Sequence, residues 1–351
     1  MTYGGNATPI NRLLQQVHPE IERTLVYDPR FIKRPEEWGA KRFYSSRFRN
    51  VPVLAYLLAT SNVTWFDNYV PLLSAAPRRK NARRIQLWHA AGALKEFGLT
   101  AQQNKVLPLE VKKRFQKVYK GYGDFVVPGM GCAKLFMPPH GLKESAFVPL
   151  GVPRTDYWFD EQHRENVVER LSEHLPPDKK ILLYAPTYRE NQTGLEEQAI
   201  RSLREALDPA EWTVVLKLHP TVEPFDIGEE GILFAEKGFS LNDYLLVTDV
   251  LITDYSSVPF EACLLGLPTF LYVPDLKDYT IFPGIIPDFP GPLPVRVTGE
   301  AQELTEWLRS EKVLEECGSR MRAFSEEWYD LPPGQATRRL VERYYSNSAS
   351  K

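Results

Sequence analysis

The chain has 351 residues, 43% hydrophobic and 25% charged, enough for two separate cores and ordinary for a globular fold. A formal net charge of −2 excludes the overall basic field of a nucleic-acid binder. Cys132, Cys263 and Cys317 lie far apart with no CxxC pair, which argues against a zinc site or disulfide framework and fits a reducing compartment.

Apolar runs predict strands at 24–28, 62–66, 84–89, 124–128 and 146–151, with helical patterns between them. No signal-peptide pattern precedes them. The longest early apolar run, VPVLAYLLA, is too short to cross a bilayer, so a protein that is soluble or sits on a membrane without crossing it is expected. Two basic segments follow. RRKNARR carries Arg78, Arg79, Lys80, Arg83 and Arg84, and VKKRFQKVYK carries Lys112, Lys113, Lys117 and Lys120 at helical spacing. Each reads as a solvated face or as a contact with an anionic membrane or substrate.

GVPRTDYWFDEQHRENVVERL has the Gly, Pro and charge of a linker. The alternation then restarts with strands expected at 180–187, 213–220, 231–236, 250–254 and 269–274, and only helices from about 300. The expectation is an α/β protein of two domains, 1–155 and 156–351, whose terminal helices are able to pack back on the first domain. In DVLITDYSSVPFEACLLGLP (249–268), a strand ends at Asp254, Ser256 or Ser257 can cap a helix, Pro259 suits its first turn and Gly266 its end. The same geometry offers backbone N–H groups to a phosphate.

The chain has no GxxxxGK[ST] loop, no HExxH, no GxSxG and no Asp-x-Asp pair, and GMGCAK is a broken GxGxxG. Chemistry without a metal and without a cofactor is expected. His89 closes one strand and His219 another, each readable as a half-buried structural residue or as half of an acid–base pair. Tyr188 and Arg189 follow a strand end, suited either to a base and a phosphate or to an ordinary turn.

IQLWHAAGALKEFG, ILLYAPTYRE, LKLHP and LNDYLLVTDVLITDYSSVPFEACLLGLPTFLYVPDLKDY, in this order, resemble the CDP-glycerol glycerophosphotransferases of teichoic acid synthesis. The resemblance implies a GT-B type fold, two Rossmann-like domains facing a central cleft, with the nucleotide in the C-terminal domain and the acceptor toward the N-terminal one. It implies His89 as catalytic base and His219 as a second essential histidine. Ser256 and Ser257 would hold the diphosphate, Pro186, Thr187, Tyr188 and Arg189 would lie near the cytidine, and Glu261 would bind the ribose. Lys217 and Arg189 would assist. The family commonly has a strand before its GN segment, whereas this chain begins almost at YGGN, so Gly4, Gly5 and Asn6 receive no role.

The expected reaction is transfer of sn-glycerol phosphate from CDP-glycerol, releasing CMP, to the N-acetylmannosamine of an undecaprenyl-diphosphate-linked ManNAc-GlcNAc disaccharide. That is the primase step. A polymerase of the same family, a GT-B glycosyltransferase using a nucleotide-sugar and a catalytically silent nucleotide-binding protein are the rivals. Expected partners are CDP-glycerol, the lipid-linked acceptor, other teichoic acid enzymes and an anionic membrane, met at its cytoplasmic face by Arg78, Arg79, Lys80, Lys112, Lys113 and Lys117. No nucleic acid is expected.

Overall fold

The structure, a computed structural model, describes residues 5–30, 32, 38–187, 200–205, 207–218 and 231–345. The chain divides into two units, one of residues 1–92, 97–159 and 328–351, the other of residues 93–96 and 160–327.

The first unit is built on a four-stranded parallel sheet in the order β3-β4-β5-β6, where β3 is Val63–Phe66, β4 Arg83–Gln86, β5 Asp124–Val127 and β6 Phe147–Pro149. A separate parallel pair joins β1 (Thr24–Tyr27) to β2 (Arg42–Ser45). The run expected as a strand to residue 89 stops at Gln86, because Trp88 takes φ +53°, a left-handed conformation that ends extended pairing. β2 had no apolar run to announce it.

Ile10 and Leu14 of the helix Ala7–Val17 pack on Ile85, Leu87 and Val126, together with Leu340, Val341 and Tyr345 of the helix Ala336–Tyr345. The chain's last helix is thus part of the first unit's core. Asp156 holds its start by accepting the N–H groups of Ala336 (3.0 Å) and Thr337 (2.7 Å). The broken glycine motif serves the same return. A Cβ on Gly129 would strike the Trp328 carbonyl and one on Gly131 the Trp328 ring.

Six parallel strands form the second unit's sheet: β7 Lys180–Tyr184, β8 Trp212–Leu216, β9 Ile232–Phe234, β10 Val250–Thr253, β11 Thr269–Tyr272 and β12 Arg296–Thr298. Their order is β12-β11-β10-β7-β8-β9. The chain builds outward from β7 on one side and from β10 on the other, which is the Rossmann order with its topological switch between β7 and β10. Leu182, Leu183, Val214, Val215, Leu251 and Ile252 are all buried, as continuous apolar runs in a sheet covered on both faces must be.

β10 leads into Pro259–Ala262, a single α-helical turn continued as a 3₁₀ turn over Cys263–Leu265 and ended by Gly266 at φ +64°. The capping position belongs to Val258, not to a serine as the sequence suggested. Ser256 acts one step earlier, its Oγ accepting the Val258 N–H at 3.3 Å. Among the described residues, no helix is long and apolar enough to cross a membrane.

Candidate active site

In the first unit the candidate residues gather past β4. Nδ1 of His89 lies 3.3 Å from the Asp67 carbonyl oxygen, at the carboxyl end of the neighbouring strand β3. A carbonyl only accepts, so Nδ1 carries the proton and Nε2 carries the lone pair. Burial pulls the imidazole down to about 4, against the Asp67 bond that raises it, and the Arg154 charge adds to the lowering. At neutral pH His89 is an uncharged acceptor. Burial raises the Asp67 carboxyl, with Arg154 pulling the other way.

The turn that presents His89 is held at both backbone polar atoms of Trp88. Its N–H donates to Gln86 Oε1 at 2.9 Å, and its carbonyl accepts from Asn6 Nδ2 at 3.0 Å. Asn6 Oδ1 in turn accepts the Arg154 N–H at 3.0 Å, while Gln86 Nε2 donates to the Asn68 carbonyl at 2.9 Å. Both amides are buried. The Trp88 indole stacks on the His89 ring at 4.5 Å. A non-glycine residue at positive φ costs energy, and here two buried side chains and a stacked ring maintain it. The sequence reading left Asn6 without a role; its contact spans 82 positions, and no local pattern signals it.

Behind this turn lies His140, fully buried among Phe125 (4.4 Å between ring centroids), Tyr119 (4.6 Å) and Trp88 (5.1 Å). Its Nδ1 bonds the Phe136 carbonyl at 2.8 Å, and Nε2 has no hydrogen-bond partner among the described residues. Burial lowers this imidazole too, to about 4.

In the second unit the site residues fall at the switch point. Pro186 and Thr187 follow β7, and Asp254 ends β10. The buried Asp254 carboxylate accepts the Thr187 N–H at 2.9 and 3.0 Å, the Thr187 hydroxyl at 2.7 Å and the Tyr255 N–H at 2.6 Å. This clamp joins the two strand ends beside Ser256 and Ser257. Glu261 is buried one turn further on, its Oε2 accepting from Asn242 at 3.3 Å. Lys217, past β8, donates to the Phe239 carbonyl at 2.8 Å over the Tyr244 ring, and burial lowers its ammonium. Tyr188, Arg189 and His219 lie outside the described residues. Asp254 is the residue the sequence reading missed here, although its place at a strand end was visible.

The basic segments divide. Arg84 is core, its guanidinium donating to the Leu58, Ala76 and Pro77 carbonyls, which corrects its reading as part of a charged surface. Arg79 donates to the Thr60 carbonyl and to Asn62. Arg78 and Lys80 line a surface hollow with Arg83 and Asp124. On the helix Leu109–Gly121, Lys112 reaches the Lys105 carbonyl (2.7 Å), Lys113 pairs with Glu110 (2.9 Å) and Lys117 is exposed. Val106 and Leu109 beside them are 86% and 64% exposed. Among the described residues no group of three or more His, Cys, Asp or Glu side chains is placed to hold a metal ion.

Two parallel-sheet α/β units, the second in Rossmann order, define a GT-B type protein, and solved structures agree. The wall teichoic acid polymerase TagF superposes with a TM-score of 0.78 at 19% identity, over 99% of this chain and 87% of that one. Residues 2–345 match the family of CDP-glycerol:poly(glycerophosphate) glycerophosphotransferases, and the chain belongs to that family. It is a CDP-glycerol glycerophosphotransferase of teichoic acid synthesis. Among its relatives, the teichoic acid glycerol-phosphate primase of Bacillus subtilis (strain 168) is 34% identical over 82% of this chain and 74% of its own length. The teichoic acid ribitol-phosphate primase of Bacillus spizizenii is 32% identical over 82% of this chain and 75% of its own.

Proposed function

We propose that His89 is the general base of glycerol-phosphate transfer. An acceptor hydroxyl gives its proton to Nε2 as its oxygen attacks the β-phosphorus of CDP-glycerol. The new O–P bond forms, the bond to the bridging diphosphate oxygen breaks, and CMP leaves with that oxygen. Ser256, Ser257 and His219 stabilise the charge on the phosphoryl oxygens and leaving group, a metal-independent arrangement resting on fixed donors. Pro186, Thr187, Tyr188 and Arg189 flank the cytidine, Glu261 binds the ribose and Lys217 assists. The first unit (1–92, 97–159 and 328–351) is the acceptor side and the second (93–96 and 160–327) the donor side.

The observation that carries this reading is the 3.3 Å contact of His89 Nδ1 with the Asp67 carbonyl, an acceptor that favours the proton on Nδ1 and so leaves Nε2 as the acceptor. His89→Ala is expected to cut turnover by about 10²- to 10⁴-fold with CDP-glycerol binding unchanged. Near-normal turnover in that variant would remove His89 from the chemistry.

The finer reading is the primase step on a lipid-linked ManNAc-GlcNAc acceptor at the cytoplasmic face of the membrane. Its support is that the two relatives described above both bear primase names. Incubation of a lipid-linked disaccharide analogue with excess CDP-glycerol, followed by mass spectrometry, is expected to give one added glycerol phosphate. A ladder of units would mark a polymerase. CDP-ribitol is the control donor, since one relative's name specifies ribitol phosphate.

A further inference from the structure

Lys95 lies six positions beyond His89 in the chain, yet it belongs to the second unit. Its backbone is fixed there on both sides. The buried Leu94 accepts the Ile286 N–H through its carbonyl at 3.1 Å, Glu96 donates its N–H to the Gly284 carbonyl at 3.1 Å, and Lys95 itself forms an antiparallel bridge with Ile285. A lysine anchored this way is aimed by its backbone. Its Nζ donates to Thr187 Oγ1 at 3.4 Å and lies 5.8 Å from the centre of the Tyr279 ring. Tyr279 stacks on Tyr255 at 3.6 Å, and Tyr255 directly precedes the paired serines.

Thr187, Asp254 and Tyr255 mark the carboxyl ends of β7 and β10. In a sheet of this order, the crevice outside those ends receives the ligand and its phosphates. An ammonium is a compact charge suited to phosphate oxygens, and the face of a tyrosine ring favours a cation beside it. We propose that Lys95 is a ligand of the donor's diphosphate, brought to the switch point by a short strap that originates outside the sheet. This rests on the reading of the second unit as the CDP-binding unit. The competing role is structural: through the Thr187 hydroxyl, Lys95 would only offset the buried Asp254 carboxylate.

The two roles separate by ligand. Binding of CDP and of cytidine is measured by calorimetry and competition on the full chain, for the natural protein, Lys95→Ala and Lys95→Arg, with thermal melting alongside. Lys95→Ala is expected to weaken CDP by about 10- to 100-fold, as loss of a charge-assisted bond does, and to change cytidine less than about twofold. Lys95→Arg keeps the charge and is expected to retain most of the CDP affinity. Unchanged CDP binding in Lys95→Ala, or equal weakening of CDP and cytidine, overturns the proposal while leaving the donor-unit reading intact. Failure of the natural protein to bind CDP overturns that reading and this one with it.

Discussion

At the scale of single residues, the site in the first unit depends on two amides more than on any charge. Asn6 and Gln86 hold the carbonyl and N–H of Trp88, and with them the direction of His89. Asn6→Ala leaves two buried backbone groups without this partner, a change worth about 1–3 kcal/mol. The expected outcome is a turnover roughly tenfold lower or worse with donor KM preserved. A purely structural role would lower melting temperature without this split. His140 makes a second residue-scale prediction. Its folded value near 4 lies below the ordinary 6.5, so between these the unfolded chain binds a proton that the folded chain refuses. Stability is full above about pH 6.5 and falls as pH drops toward 4, by up to about 3 kcal/mol from this group. Denaturant titrations across that window are expected to show a shallower slope in His140→Phe than in the natural protein.

Among elements, the helix Ala336–Tyr345 is held at its start by the Asp156 carboxylate. Asp156→Ala removes the acceptor of two N–H groups at its start and is expected to cost about 1–2 kcal/mol, seen as earlier unfolding of the first unit by hydrogen exchange. The elements also show what was legible in advance. Every strand except β2 and β12 was announced by an apolar run, most plainly the central ones, where residues such as Leu182, Val214 and Ile252 are buried from both sides and must be apolar. β2, with Arg42 exposed at its start, and β12, with Arg296 and a proline-rich approach, belong to short or edge strands that need no such run. Arg84 looked like surface charge because a sequence shows a cation and not the three carbonyls that enclose it. His89, Thr187, Ser256 and Glu261 were singled out through their motifs. Asn6 and Lys95 act across distances that no motif contains.

For the whole molecule, the acceptor proposed above is lipid-borne, and exposed apolar Val106 and Leu109 beside Lys112, Lys113 and Lys117 suit a bilayer surface. Each basic residue near an anionic leaflet contributes about 1 kcal/mol, screened by salt. Replacing Lys112, Lys113 and Lys117 by Glu is expected to release the protein from anionic vesicles in a flotation assay while CDP binding persists. Retention on the vesicles would return these lysines to an ordinary solvated face.

The C-terminal helix also sets an order of manufacture. Apart from the strap at 93–96, the second unit is one continuous stretch, 160–327, and all of it is synthesised before Leu340 and Val341 are added. Those two side chains complete the core around Ile10, Leu14 and Ile85, so the domain begun first is finished last. Until Leu340 and Val341 emerge, its nascent sheet carries an uncovered apolar face, the state in which a growing chain most needs a chaperone.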